Sequence, residues 1–281
     1  MIPESIQTWL LNQNYGTITS THSVGGGCIS NGAILETASG KSFFLKTNPS
    51  APADMFAQEA VGLDALRTDD GPVVPETYLH GKDFLLMADL SPAPRRGDYV
   101  PELGRRLAAL HNHTSPQFGF SSDNYIGSTP QPNPRLEDGC EFFAEHRLLY
   151  QARLARQRGL LPSADVRRVE HLAARLPDLI PEQPASLIHG DLWSGNITTD
   201  SSGYPAIIDP AAHYGWAEAE LAMMNLFGSF PSAFYRAYET VRPLEPGYRT
   251  RFKFYNLYHL LNHLNLFGRS YLRRIQSILR T

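Results

Sequence analysis

Cysteine is scarce: Cys28 and Cys140 are the only two in 281 residues. Two thiols cannot build a disulfide framework, which points to a reducing compartment. No apolar run approaches the ~18 residues that a bilayer span requires. No polybasic run occurs, and 25 Lys+Arg against 28 Asp+Glu leave a net charge of −3. A nucleic-acid footprint and a membrane-surface patch are therefore not expected. The opening MIPESIQTWL has no basic segment leading into an apolar one, so no signal peptide is read and a cytoplasmic location is expected. Internal repeats and low-complexity tracts are absent, as are a G-x-x-x-x-G-K-[ST] loop and a G-x-S-x-G elbow. What is present is 42% hydrophobic and 19% charged sequence, enough to bury a core in one or two domains.

Lysine is scarce too, at Lys41, Lys46, Lys82 and Lys253 only. Lys46 alone sits in a strand-like run, after Phe43-Phe44-Leu45. It belongs to a β-rich first third. A helix over Pro3–Asn14 is followed by strands at Thr17–Val24, Ala33–Thr37 and Ser42–Lys46, parted by glycines, which predicts an antiparallel meander. Asp54–Leu66 carries Phe56, Ala60, Leu63 and Leu66 on one helical face. Val73-Val74 and Phe84–Met87 are read as two more strands, with a turn at Gly81-Lys82. Ser91-Pro92-Ala93-Pro94 interrupts both ladder and helix. Beyond it, helical patterns span Leu103–Leu110 and roughly 140–158, 163–176, 216–226 and 248–267. Short strands return between Leu187 and Asp209 around a turn at Asp200–Gly203. The expected fold class is α+β in two lobes: residues 1–90, a small antiparallel β-rich lobe with one helix inserted among its strands, and residues 91–281, a larger, mainly helical one.

The chemistry concentrates in His189-Gly190-Asp191-Leu192-Trp193-Ser194-Gly195-Asn196 and Ile207-Ile208-Asp209-Pro210. Taken singly, each Asp or Asn is an ordinary turn residue. Together, Asp191, Asn196 and Asp209 form an oxygen-donor set suited to phosphoryl transfer. One carboxylate takes the proton of an attacking hydroxyl, while the Asn amide oxygen and the second carboxylate hold Mg²⁺ against ATP. Upstream, Lys46 and Glu59 have the order of a phosphate-anchoring ion pair. Gly25, Gly26 and Gly27, between two strands, leave backbone N–H groups free to approach phosphates.

These residues resemble the fructosamine (ketosamine-3-) kinases, relatives of the aminoglycoside and choline phosphotransferases with a protein-kinase-like fold. The similarity covers almost the whole chain and includes Asp123-Asn124-Tyr125-Ile126-Gly127-Ser128-Thr129-Pro130-Gln131, the Leu-Trp-Ser-Gly filling of the Asp191 loop, and Leu257–Asn265. The resemblance implies ATP- and Mg²⁺-dependent phosphorylation of the sugar 3-hydroxyl of ketosamines, free or protein-bound, followed by elimination and release of the amine. It implies Asp191 as base, Asn196 and Asp209 as metal ligands, and Lys46 and Glu59 as the anchoring pair. Ala88, Asp89 and Leu90 become the adenine hinge, Trp193 a wall of the sugar pocket, and Glu220 a brace for the loop. Where the family tends to read Tyr-Gly-His-Arg-Glu, this chain reads Tyr214-Gly215-Trp216-Ala217-Glu218, which places Trp216 and Glu218 as candidate acceptor contacts and removes a cation there.

Cys28 reads either as a redox-sensitive thiol, through which the monomer could form a linked dimer, or as a small residue filling a tight turn. His259 and His263, at i and i+4, lack a third ligand and are expected to pack. His189 is expected to support the loop backbone. Two other functions remain open: a kinase of the same fold for an amino alcohol or aminoglycoside, and a catalytically silent nucleotide-binding module.

Overall fold

The computed structural model describes residues 2–25 and 30–280. Its N-terminal part runs α1 (Glu4–Asn12), β1 (Ile18–Val24), β2 (Asn31–Thr37), β3 (Ser42–Thr47), α2 (Met55–Leu66), β4 (Thr77–His80) and β5 (Phe84–Ala88). The strands form one antiparallel sheet in the order β1-β2-β3-β5-β4. Alternation along the strands sorts its two faces. Phe43 and Leu45 of β3 and Phe84 and Leu86 of β5 join Ile6 and Leu10 of α1 in a small core. Phe44, Leu85 and Met87 point the other way, toward the core that contains α2. Lys46 shares that second face by register, which is why a lysine can stand in an apolar strand.

One expectation is corrected here. Val73-Val74 is not a strand of this sheet; the fifth strand is β4. Pro72 and Pro75 flank the pair and cannot donate to a ladder. Val73 makes instead a single parallel bridge to Ala206, with its N–H on the Pro205 carbonyl at 2.9 Å. This stitches the sheet-bearing part to residues 205–207 of the helical part.

The remainder is mostly helical: α3 (Tyr99–His111), β6 (Thr114–Ser115), the hairpin β7 (Asn124–Ile126) and β8 (Thr129–Gln131), α4 (Gly139–Phe143), a π-helical stretch (Ala144–Leu149), α5 (Tyr150–Gln157), α6 (Ser163–Ala174) and α7 (Leu176–Leu179). Then come β9 (Ala185–Ile188), β10 (Ile197–Thr199), β11 (Pro205–Ile207), β12 (His213–Gly215), α8 (Ala217–Leu226), α9 (Ser232–Glu239), α10 (Tyr248–Phe267) and α11 (Leu272–Ile278). The buried helix α10 packs on α8 and α5 and centres the larger core. Among the described residues no helix is long and apolar enough to cross a membrane.

Candidate active site

Two short ladders position the polar loops. β12 pairs antiparallel with β9, and β10 pairs with β11. The hairpin turn is held by the Asp200 carboxylate, which accepts the N–H groups of Ser202 at 2.9 Å and Tyr204 at 2.8 Å. The loop of residues 189–196 leaves β9, and Asp209 lies between β11 and β12, so the pairing carries both to one end of the ladders. Backbone bonds lock them together: Ala211 N–H to the His189 carbonyl at 2.9 Å and Ile208 N–H to the Asn196 carbonyl at 3.1 Å. Gly190 has φ +81°, and a Cβ there would stand 2.2 Å from the Ala211 carbonyl oxygen, so only glycine fits.

Beneath this loop the Glu220 carboxylate of α8, 1% exposed, accepts the N–H of His189 at 2.9 Å and that of Gly190 at 2.8 Å. It also meets His111 Nε2 at 3.1 Å, while His111 Nδ1 meets the Tyr238 hydroxyl at 2.7 Å. Burial pushes His111 below the usual histidine range, so its neutral ring donates through Nε2. Burial alone would raise Glu220, but the hydrogen bonds from His111 and the backbone outweigh it and hold the carboxylate ionised. His189 Nε2 donates to the Ile208 carbonyl at 2.8 Å, a supporting contact within the loop.

These loops face the sheet across a cleft of about 420 Å³. Lys46 Nζ reaches the Glu59 oxygens at 2.8 and 2.9 Å and Asp209 Oδ1 at 3.1 Å. Burial pulls the ammonium down, yet the Glu59 and Asp209 carboxylates prevail and hold it above the ordinary lysine range. Asp191 opens on the same cleft. Burial, with the Asp209 and Glu220 charges adding to it, pushes its carboxyl up to about 7, the range of a general base matched to neutral pH. Asn196 spends its amide nitrogen on the Asp191 carbonyl at 2.9 Å and the Asp209 carbonyl at 3.5 Å. Its amide oxygen is thus left as an acceptor beside Asp209, whose backbone is in the left-handed region at φ 58°. A carboxylate and a carboxamide oxygen, oriented this way, fit a hard divalent cation that keeps water ligands. Among the described residues no three His, Cys, Asp or Glu side chains gather as a metal centre.

At the far end, Ala88, Asp89 and Leu90 line the cleft, with Phe44 and Met87 of the sheet as apolar walls. The Ala88 N–H is spent on the Glu76 carbonyl at 2.8 Å, and the Asp89 carboxylate is spent on Ser42 and Ser91. The Leu90 N–H donates to no group among the described residues. Gly25 also lines the cleft. Gly26, Gly27 and Cys28 lie outside the described residues.

Trp193 borders the cleft beside Asp191, but Trp216 and Glu218 do not. Their expected contact with an acceptor is corrected. Trp216, 4% exposed, is packed among Phe118, Phe143 and Tyr255. Glu218 accepts Arg251 Nη2 at 2.6 Å and Nε at 2.8 Å, and the Tyr255 hydroxyl at 3.0 Å. Strand β12 carries the chain out of the cleft and into the core before either residue is reached. His263 Nδ1 bonds the His259 carbonyl at 2.7 Å, in keeping with a packing role.

The residues of the β7–β8 hairpin carry no role that their sequence announces. Asn124, Tyr125 and Gly127 line the cleft, and the Tyr125 hydroxyl donates to Asp54 at the start of α2 at 2.6 Å. Asn124 and Gln131 donate to the carbonyls of Ala212 at 2.8 Å and Ala211 at 3.1 Å, steadying the segment after Asp209. The run from Asp123 to Gln131 was visible as a motif, but nothing in it marks its partner.

A family model described as fructosamine kinase matches residues 2–281. A Synechocystis protein assigned as a ketoamine kinase is 43% identical over 94% of this chain and 90% of its own. The chloroplastic protein-ribulosamine 3-kinase of Arabidopsis thaliana is 40% identical over 99% of this chain and 87% of its own. A Thermobifida fusca crystal structure assigned as a fructosamine-3-kinase superposes with TM-score 0.90 at 33% identity, covering 99% of this chain and 98% of that one.

Proposed function

The chain belongs to the fructosamine kinase family, and we propose that it transfers the γ-phosphoryl group of ATP to the sugar 3-hydroxyl of ketosamines, leading to deglycation of the amine. The observation that carries this reading is the bridge across the cleft. Lys46, paired with Glu59, touches Asp209, and Asp191 and Asn196 open on the same space. Lys46 holds the phosphates; Asp191 accepts the proton of the 3-hydroxyl as its oxygen attacks. Asn196 and Asp209 hold Mg²⁺, which when bound neutralises charge on the phosphates. The Leu90 N–H and neighbouring carbonyls take the adenine edge, between Phe44 and Met87. The division into residues 1–90 and 91–281 belongs to the same proposal. Ser91, at φ 45°, and Pro92 and Pro94 end the sheet-bearing part there.

A kinase for polycationic antibiotics needs carboxylates to meet its acceptor. The acidic side chains on this cleft are Glu59, Asp89, Asp191 and Asp209. Glu59 and Asp209 are tied to Lys46, Asp89 to serines, and Asp191 is the proposed base. An ATP-consumption assay with ribulose- and fructose-derived lysine adducts, beside an amino alcohol and an aminoglycoside, tests the reading. Turnover confined to the ketosamines is expected. Turnover of the amino alcohol or aminoglycoside alone refutes the acceptor class, and ATP binding with no turnover on any acceptor refutes the kinase.

A further inference from the structure

The β7–β8 hairpin faces two ways. Burial alternates along β7, with Asn124 and Ile126 turned inward and Tyr125 between them less buried, at the cleft. On the inward side, Asn124 Nδ2 donates to the Ala212 carbonyl at 2.8 Å. Gln131 Nε2 donates to the Ala211 carbonyl at 3.1 Å and to the Asn124 amide oxygen at 2.7 Å. The Tyr258 hydroxyl of α10 donates to Gln131 Oε1 at 2.5 Å, and Arg147 Nη2 donates to Asn133 Oδ1 at 2.6 Å. Asn124, Gln131, Asn133 and Arg147 are all buried. A buried network whose carboxamides are all engaged is rigid, so the hairpin is a fixed post built on the segment that follows Asp209.

The outward side reaches α2. The Tyr125 hydroxyl donates to Asp54 Oδ1 at 2.6 Å, and Ser122 Oγ donates to Gln58 Oε1 at 2.5 Å. Asp54 is the N-cap residue of α2, a position where a carboxylate ordinarily accepts an N–H of its own helix. Here it accepts the Tyr125 O–H instead. The same helix carries Glu59, and beyond it Gly62, where an added Cβ would touch Ala212 at 3.4 Å and Pro210 at 3.5 Å. Helix α2 thus lies on the segment after Asp209, and the hairpin is bonded to both.

We propose that this hairpin is a clamp that sets α2, and with it the Lys46–Glu59 pair, over Asp209, and that Tyr125 is a positioning residue for phosphate binding, acting through Asp54. The inference rests on the phosphate-holding role proposed above for Lys46. Lys46 Nζ bridges Glu59 on α2 and Asp209 beyond β11, and it can meet both only at one separation of those elements. A lysine stem is flexible and cannot fix that separation by itself. The bonds from Tyr125 and Ser122 to α2 fix it, because their other end is anchored beside Asp209. Phe56, Leu63 and Leu66 keep α2 buried in the core whether or not those bonds are made, so losing the clamp shifts the helix without unfolding it.

Tyr125→Phe removes the hydroxyl and keeps the ring. Asp54→Ala removes its acceptor, at a residue that does not line the cleft. Binding of a non-hydrolysable ATP analogue with Mg²⁺, measured by calorimetry without acceptor, should weaken about tenfold in each variant, as one charged hydrogen bond allows. The double variant should bind no more weakly than either single one, since both break the same contact. Asp54→Asn keeps an acceptor oxygen and should recover most of the loss. In transfer to a ribulose–lysine adduct, KM for the adduct should stay at the wild-type value in both single variants. Wild-type analogue affinity in Tyr125→Phe, losses that multiply in the double variant, no recovery in Asp54→Asn, or a rise in adduct KM confined to Tyr125→Phe overturns this inference alone. Absence of transfer by the wild-type enzyme to any ketosamine overturns the acceptor class instead, and the analogue titrations still decide the clamp.

Discussion

Replacing Glu220 by Gln changes one oxygen to an NH₂ in a site that is 1% exposed. One carboxylate oxygen serves the Gly190 N–H; the other serves the His189 N–H and His111 Nε2. A carboxamide has one oxygen. If it faces Gly190, the new NH₂ confronts the His189 N–H. If it faces His189, the NH₂ confronts the Gly190 N–H. His111 can relieve the clash on its own side by changing tautomer and accepting through Nε2, but a backbone amide cannot. One charged hydrogen bond is lost, about 1.5–3 kcal/mol, and one buried donor is orphaned, about 1–3 kcal/mol. Allowing for overlap, the loss is about 3–5 kcal/mol. At roughly 2–4 °C per kcal/mol for a chain of this size, the thermal midpoint should fall by about 6–20 °C. The orphaned amide adjoins Asp191, so a displacement near 1 Å should lower kcat about 100-fold. ATP affinity should stay within about threefold, because Lys46, Glu59 and Leu90 come from other elements. Thermal unfolding, steady-state kinetics and nucleotide titration read the three effects separately. A Glu220→Gln variant with wild-type kcat and an unchanged midpoint would refute the reasoning.

Further outcomes follow from the same geometry. Lys46→Met leaves Glu59 buried without its partner and should cost about 3–5 kcal/mol in denaturant unfolding. Adding Glu59→Leu should restore part of that stability and none of the activity. Arg251→Met strips Glu218 of its bidentate partner and should destabilise by about 3–5 kcal/mol, with KM for the acceptor unchanged; a rise in that KM would return Glu218 to the acceptor site. In acid, His111, His189, His213 and His259 are held below the usual histidine range by burial, His259 at about 3. The unfolded chain therefore takes up their protons first, and stability falls as pH drops below about 6.5, by up to about 1.4 kcal/mol per unit for each histidine. Asp191 has the opposite sign: raised to about 7 from 3.8, it binds its proton first in the folded state and offsets about one histidine over that window. Urea titrations at pH 7 and 5.5 should show the net loss, and stability that rises on acidification would contradict it.

Much of this was legible from residue order alone. β3 and β5 announce themselves by apolar runs between glycines and turns, and the Asp191, Asn196 and Asp209 spacing survives because short local ladders set it. Lys46 and Glu59 meet because a strand and the next helix share one face of the sheet. What was not legible depends on which element covers which. Trp216 and Glu218 follow Asp209 closely in sequence, yet β12 turns them into the core. The eight-residue helix α9 was missed because Phe234, Tyr235 and Tyr238 make one short stripe, too brief for its periodicity to stand out before α3 is known to pack on it. The prolines around Val73 were visible, but the bridge to Ala206 joins residues far apart in sequence.

The central claim is that Asp191 takes the acceptor's proton in a cleft whose phosphate-holding side is built from other residues. Asp191→Ala, assayed for phosphate transfer to a ribulose–lysine adduct and for ATP binding by calorimetry, tests it most directly. Transfer reduced by about 100-fold or more, with ATP affinity kept near wild type, is the result the account predicts. Wild-type transfer from that variant would contradict it.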